Sequence, residues 1–283
     1  MIKLLVCIDG SLYADNICTN AAWAAKRLNA EIDLLHVLRR SSDYQAVADD
    51  RTGAIGIDAR SGLMEELARV DEERGKLDQQ KGRLILEHSE KALRAAGIEK
   101  INLIHRRGSL SETIKEMENG IDMIFIGKRG EQANPDSEFL GSNLEKVARL
   151  IHKPLFVVSR FVRPMERFAI AYDGKENANK AVEYAASSPL LRGLECHLLT
   201  VDQSGQLDTS DIVSKLSTAG FDVKVSNQKS DQVDQAIASY VADHKIDLVL
   251  TGAYSHSRVR SILIGSTTAS LIKACHVPLI LFR

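Results

Sequence analysis

"GSNLEKVARLIHKPLFVV" (Gly141–Val158) and "GSTTASLIKACHVPLILF" (Gly265–Phe282) superpose without a gap at an offset of 124 residues. Gly–Ser falls on Gly–Ser, His152 on His276 and Pro154 on Pro278. Upstream, "IDMIFIGKRG" from Ile121 matches "IDLVLTGAYS" from Ile246 at an offset of 125, and "LLVCIDGS" (Leu4–Ser11) matches "FAIAYDGK" (Phe168–Lys175) at 164. The drop from 164 to 125 places about 39 extra residues in the first half, and the drop to 124 places one more in its glycine loop. The chain is two copies of one domain, expected at residues 1–161 and 164–283. The short charged linker "RFVRPMER" joins them, with a proline that cannot sit within a central strand.

Each copy alternates strand and helix. In copy two, "RFAIAYD", "LECHLLTV", "FDVKVSN", "IDLVLTG" and "VPLILF" read as strands, separated by amphipathic stretches such as "NANKAVEYAASSP" and "DQVDQAIASYVADH". Continuous Val, Ile and Leu strands between helices imply a parallel sheet covered on both faces. The predicted fold class is α/β: two tandem copies of a five-stranded, parallel, doubly wound sheet. A repeat of this kind implies a pseudo-twofold axis. The last strands, "PLFVVSR" and "VPLILFR", are expected to meet across it, because each would otherwise leave an apolar edge open.

The extra residues lie between the second and third strands of copy one, as a helical insertion at about 40–90. A Gly-, Asp- and Ser-rich stretch ("SSDYQAVADDRTGAIGIDARSG") precedes a charged helical one, Leu63–Ala96. Leu63, Val70, Leu77 and Leu84 recur every seven residues, the spacing of a narrow seam for one partner helix. The seam is expected to be buried, on its own domain or on a second chain. A straight helix here would span about 50 Å, so a break near Gly75 or Gly82 is expected.

Composition narrows the function. A formal net charge of −1 and only 5% aromatic residues give no footprint for nucleic acid or an anionic membrane. The longest apolar runs are strand-sized, and "MIKLLVCIDG" opens directly as a strand, not as a signal peptide. The four cysteines (Cys7, Cys18, Cys196, Cys275) form no C-x-x-C pair, so neither a disulfide framework nor a zinc site is expected, and the cytoplasm is the natural location. His152 and His276 read as structural.

In an open α/β sheet, ligands bind beyond the carboxyl ends of the strands where strand order reverses. Several features of each copy converge there. The first strand ends at Asp9 or Asp173, the second at Val37 or Val201, the fourth at Gly127 or Gly252. The next helix opens at Ser142, or at Ser266, Thr267 and Thr268. A helix start offers free N–H groups to an anion, and an aspartate could accept from an exocyclic amine or a ribose hydroxyl. Equally, hydroxyls at a helix start serve as caps, and Asp–Gly pairs cap turns. Neither a P-loop nor a G-x-G-x-x-G fingerprint is present. No triad or paired-carboxylate pattern supports an enzyme, so at most a weak ATPase is expected.

Taken in order, "IDGS", "IDMIFIGKRG" and the Gly–Ser before "HKPLFVV", then "IDLVLTGAYSHS", "ILIGSTT" and "HVPLILF", resemble the universal stress protein family, over essentially the whole chain and as a tandem pair. The resemblance implies strand order 3-2-1-4-5 in each copy. Nucleotide-binding members carry G-x-x-G, nine residues, then G-[ST]. By that pattern Asp9 or Asp173 and Val37 or Val201 would hold adenosine. Gly127, Gly130, Gly141 and Ser142, or Gly252, Ser255, Gly265, Ser266 and Thr267, would hold ribose and phosphates. The implied ligand is ATP or a related adenine nucleotide, with Mg²⁺ as its companion ion. The implied role is a stress-response signalling module acting on an unidentified protein partner, with a homodimer open. An interaction scaffold that binds no nucleotide is the alternative. Both copies depart from the pattern. Copy one has ten residues where nine are expected, with Glu131, Asp136 and Glu138 among them. Copy two keeps nine but has Ser255 for the second glycine, and its loop carries Arg258 and Arg260. Copy two is therefore the expected stronger binder.

Overall fold

A computed structural model describes residues 1–38, 57–130, 140–202, 207–253 and 266–283, without the side chains of 57–65, 67, 266 and 267. The first half runs β1 (Lys3–Cys7), α1 (Ala14–Leu28), β2 (Glu31–Leu38), α2 (Ile57–Ala95), β3 (Ile101–Arg107), α3 (Leu110–Met117), β4 (Met123–Gly127), α4 (Ser142–Leu150) and β5 (Leu155–Val158). The second runs β6 (Arg167–Ala171), α5 (Glu176–Ser187), β7 (Glu195–Asp202), α6 (Ser210–Thr218), β8 (Val223–Lys229), α7 (Val233–Asp243), β9 (Leu248–Gly252), α8 (Ser266–Ala274) and β10 (Leu279–Phe282).

All ten strands form one sheet in the order β3-β2-β1-β4-β5-β10-β9-β6-β7-β8. Each half is thus 3-2-1-4-5 and parallel throughout, as expected. The last strands meet as the repeat implies: β5 and β10 pair antiparallel, with Phe156 opposite Ile280. Antiparallel pairing of equivalent strands is what a local twofold axis produces.

Alternation along the strands builds two cores, and each runs through both halves. Leu4, Val6, Phe125, Phe156, Phe168, Ile170 and Ile280 face α1, α2 and α5. Leu5, Ile124, Val157, Val249 and Leu279 face α3, α4, α7 and α8. At the seam Phe125 and Phe156 stack with ring centroids 4.6 Å apart.

The repeated Ile–Asp dipeptide acquires a structural role. Asp122 Oδ2 accepts the N–H of Lys3 at 2.8 Å. Its counterpart Asp247 accepts those of Glu166 and Arg167, each at 3.0 Å, and pairs with Arg163 Nε at 2.7 Å. In both halves the aspartate before the fourth strand pins the start of the first, and in the second half it also anchors the linker.

Two expectations about the insertion are corrected. α2 is one unbroken helix of 39 residues, about 58 Å long. Gly82 does not break it, because this is where the helix presses on the sheet. A methyl at Gly82 would stand 2.5 Å from His105 Nε2 and 2.9 Å from His36 Nδ1. The seam is not buried within the chain either: Val70, Leu77 and Leu84 are 49%, 64% and 65% exposed, and Leu86 and Leu93 are buried instead. The side chain of Leu63 and the stretch 39–56 lie outside the described residues.

Side chains also tie the halves together. Arg27 Nε donates to the Leu190 carbonyl at 2.6 Å. Lys128, only 8% exposed, donates from Nζ to the Cys275 carbonyl, just past the end of α8. Among the described residues no helix is long and apolar enough to cross a membrane.

Phe156→Ala should lower stability by about 3–5 kcal/mol. Calorimetry should still show one transition, because both cores cross the seam; two separated transitions would show independent halves. Lys128 makes stability depend on pH in a defined direction. Burial pulls its pKa down to about 8, against about 10.4 in an unfolded chain. Between these values the unfolded chain binds more protons, so this group favours folding increasingly as pH rises, by at most about 1.4 kcal/mol per pH unit. Urea titrations from about pH 8 to pH 10 should show wild type gaining stability relative to Lys128→Met; parallel profiles would refute the assignment.

Candidate functional site

In each half the chain leaves the first strand toward one neighbour and returns through the fourth on the other side. The crevice between the carboxyl ends of those two strands is the candidate site.

In copy one the structure brings four of the expected residues together. Asp9 Oδ1 accepts the Ser11 N–H at 3.0 Å, so one carboxylate oxygen caps the turn. The other lies at Gly130, where an added methyl would stand 3.0 Å from Asp9 Oδ2. Gly141 folds back on the same loop: its N–H donates to the Lys128 carbonyl at 3.0 Å. A methyl on Gly141 would lie 3.3 Å from that oxygen and 3.4 Å from Gly130 N. Gly127 sits under Tyr13, whose Cβ would be 3.1 Å from a methyl there. Asp9, Gly130 and Gly141 thus converge on the short stretch that follows Gly127. Ser142 begins α4 exposed, and the first turn of that helix carries Glu145. A carboxylate in that turn opposes an incoming anion.

In copy two Asp173 repeats the turn, with Oδ1 accepting the Lys175 N–H at 3.1 Å and Oδ2 at 3.4 Å from Lys175 Nζ. Gly252 lies under the first turn of α5. A methyl there would stand 2.7 Å from Ala178 N, so only glycine lets the helix start come this close. Asn177 Nδ2 donates to the Ala253 carbonyl at 2.6 Å. Leu207 covers Gly174, which adopts φ of +75°. α8 starts at Ser266 with no acidic residue in its first turn. Ser255, Gly265, Arg258 and Arg260 lie outside the described residues, as do the Ser266 and Thr267 side chains and the acidic loop residues of copy one. Val37 and Val201 sit half-buried at the ends of β2 and β7.

Sequence reading missed four neighbours of these sites: Tyr13, Lys128, Asn177 and Leu207. Tyr13 and Asn177 are equivalent positions, each four residues past the strand-end aspartate and each covering the fourth-strand glycine. Superposing the two copies marks that position; nothing local marks the other two.

The arrangement offers backbone N–H groups, hydroxyls and a strand-end carboxylate in each copy, with Glu145 beside it in copy one, which is binding chemistry. The four cysteines are buried free thiols, and burial pushes Cys18 and Cys275 up to about 11, away from nucleophilic use. Among the described residues no cluster of three His, Cys, Asp or Glu is placed to hold a metal. A second cleft, about 580 Å³, opens at the amino ends of β6–β8. Its buried His197 spends both ring nitrogens internally, on Tyr240 Oη and Glu195, each at 2.8 Å.

Comparison with known proteins agrees with this architecture. The model of the universal stress protein family matches residues 1–159 and again 165–283. The universal stress protein Slr1230 of Synechocystis sp. is 33% identical over 290 residues, covering all of both chains. YxiE of Bacillus subtilis, another universal stress protein, is 27% identical over 158 residues, 55% of this chain and 97% of its own. A universal stress protein from Archaeoglobus fulgidus shares the fold at a TM-score of 0.68 and 21% identity, covering 99% of this chain and 98% of its own. The chain belongs to the universal stress protein family, as a tandem pair of its domains.

Proposed function

We propose that this protein binds an adenine nucleotide, ATP or a close relative, at the carboxyl edge of the sheet, with copy two as the stronger site and the bound state passed to a protein partner. The observation that carries the difference between copies is the state of the two helix starts. In copy one the Gly141 N–H is spent on the Lys128 carbonyl, Asp9 Oδ2 faces Gly130, and Glu145 sits in the first turn of α4. An arriving phosphate meets a used donor and two carboxylates. In copy two α8 opens with Ser266, Thr267 and Thr268 and no acid in its first turn. The loop before it supplies Arg258 and Arg260 and the nine-residue spacing to Gly265.

The residues fit such a ligand in its chemistry. Gly265, Ser266 and Thr267 would hold phosphate through N–H and hydroxyl groups. Asp173 and Val201 would hold the nucleoside end, with Gly252 and Ser255 between. Asp9, Val37, Gly127, Gly130, Gly141 and Ser142 are the weaker equivalent set. Mg²⁺ would travel with a triphosphate, and hydrolysis, with no base in position among the described residues, would be slow. The spent Gly141 N–H and the Glu145 carboxylate of copy one favour a second reading for that half alone, a structural scaffold that binds no nucleotide.

Calorimetric titration with ATP tests this. Gly265→Val should abolish binding to the stronger site, and Gly141→Val should leave it intact. Asp173→Ala should weaken it by roughly 1–3 kcal/mol. Equal loss from both glycine variants would mean that the two copies share the work of binding. No binding by wild type, and no nucleotide released from fresh protein by mass spectrometry, would extend the scaffold reading to the whole chain.

A further inference from the structure

Lys128 belongs to copy one, and its side chain ends in copy two. Its backbone is fixed just past β4: the N–H donates to the Val158 carbonyl at 3.1 Å, and the carbonyl accepts the Gly141 N–H at 3.0 Å. From that anchor Nζ reaches the Cys275 carbonyl, one residue past the end of α8. Both residues are buried, and a buried ammonium is costly. The equivalent position in copy two is Ala253, which makes the same backbone bond, its N–H on the Phe282 carbonyl at 2.7 Å. The frame therefore folds without a lysine there. What the lysine serves is the end of α8. The last carbonyls of a helix have no partner within it, and no glycine follows α8 to close it, the next residues being Cys275, His276, Val277 and Pro278. In copy one the end of α4 is held by its own copy, where Glu118 accepts the His152 N–H. The counterpart of Glu118 in copy two is Asp243, one methylene shorter. At α8 an anchor comes from the other copy.

Granted adenine-nucleotide binding at copy two, on which this inference rests, we propose that Lys128 is a positioning residue for that nucleotide: it holds α8 from behind and so sets how tightly the start of the helix grips phosphate. α8 has nine residues and is about 14 Å long, too short to have much stability of its own. Leu271 and Ile272 bury one side of it in the core; Lys128 adds a hold along its axis. The ammonium stands at the negative end of the helix dipole, and phosphate would stand at the positive end. The two charges favour the same alignment of α8, so each strengthens the hold of the other. Ala253 is too short to return the contact to α4, so the dependence built here is that of copy two's site on copy one.

Hydrogen exchange and titration of the full chain with ATP test the proposal. Without ligand, the amides in the last turn of α8 should exchange faster in Lys128→Met than in wild type, with those of α4 unchanged. At pH 7, Lys128→Met should weaken ATP binding at copy two about two- to fivefold. A pH profile separates positioning by the charge from mere packing. Burial brings the Lys128 pKa down to about 8. Its charged and titratable surroundings are Arg129 beside it, Cys275 with Lys273 and His276 at the end of α8, and Asp234 of α7, which acts on Cys275. The Cys275 thiol, pushed up to about 11 by burial, keeps its proton in this range. Bound phosphate favours the charged amine, so wild-type affinity is highest below pH 8 and falls as pH rises through it. Between pH 7 and pH 9.5 wild type should lose the same two- to fivefold and converge on Lys128→Met, which should show no such fall. Unchanged exchange in α8 overturns the proposal, because the contact then holds nothing. Faster exchange with equal ATP affinity in both proteins overturns it by confining Lys128 to the fold. Weakening by the same factor at every pH overturns the role of the charge. A wild type that binds no ATP overturns the nucleotide reading and the affinity claim together, while exchange still decides whether copy one holds α8.

Discussion

The whole molecule hangs on the pairing of β5 with β10. Each is four residues of fully buried apolar chain, LFVV and LILF, and either alone would be an exposed hydrophobic edge. Their antiparallel union fixes everything beyond it. It merges two five-stranded sheets into one, carries both cores across the seam, and reverses the direction of one half's strands relative to the other's. The carboxyl ends of the two halves therefore face opposite sides of the sheet, so the two candidate sites cannot share one ligand. Communication between them has to pass through the body of the protein.

The halves are equivalent in topology and unequal in detail. Lys128 stands where the second half has Ala253, and only Lys128 reaches across, to the carbonyl at the end of α8. Lys128 thereby ties one end of the helix whose other end opens copy two's candidate site. Tyr13 stands where the second half has Asn177, so one glycine lies under a ring and the other under an amide. The 39-residue α2 corresponds to the nine-residue α6. The repeat supplies two equivalent frames, and these substitutions make their contacts differ.

The fold was legible because its determinants are local and repeated. Asp122 and Asp247, the Gly–Ser pairs and the prolines before the last strands each occur twice in the same order. The strand-end aspartates were legible only in part: one oxygen of each caps its own turn, as the plain reading had it. What eluded sequence was long-range. Nothing around Lys128 announces a partner 147 residues away. The seven-residue spacing on α2 reveals a row but not which way it faces; that is decided by Gly82 against His36 and His105. An isolated glycine costs a helix about 1 kcal/mol, and here its missing side chain is what lets the helix touch the sheet, so the expected break does not occur.

With the apolar edges consumed at the centre, the sheet ends in β3 on one side and β8 on the other. β3 reads INLIHRR and β8 reads VKVSNQK, and both are largely solvent-facing. An open strand is a template on which further chains can add, the first step toward ordered aggregates. Arg106 and Arg107 at one margin, and Lys224 and Lys229 at the other, charge that template and make a neighbouring backbone unwelcome. The tandem arrangement therefore also terminates the sheet: the apolar edge of each half is closed inside one chain, and the margins that remain carry charge.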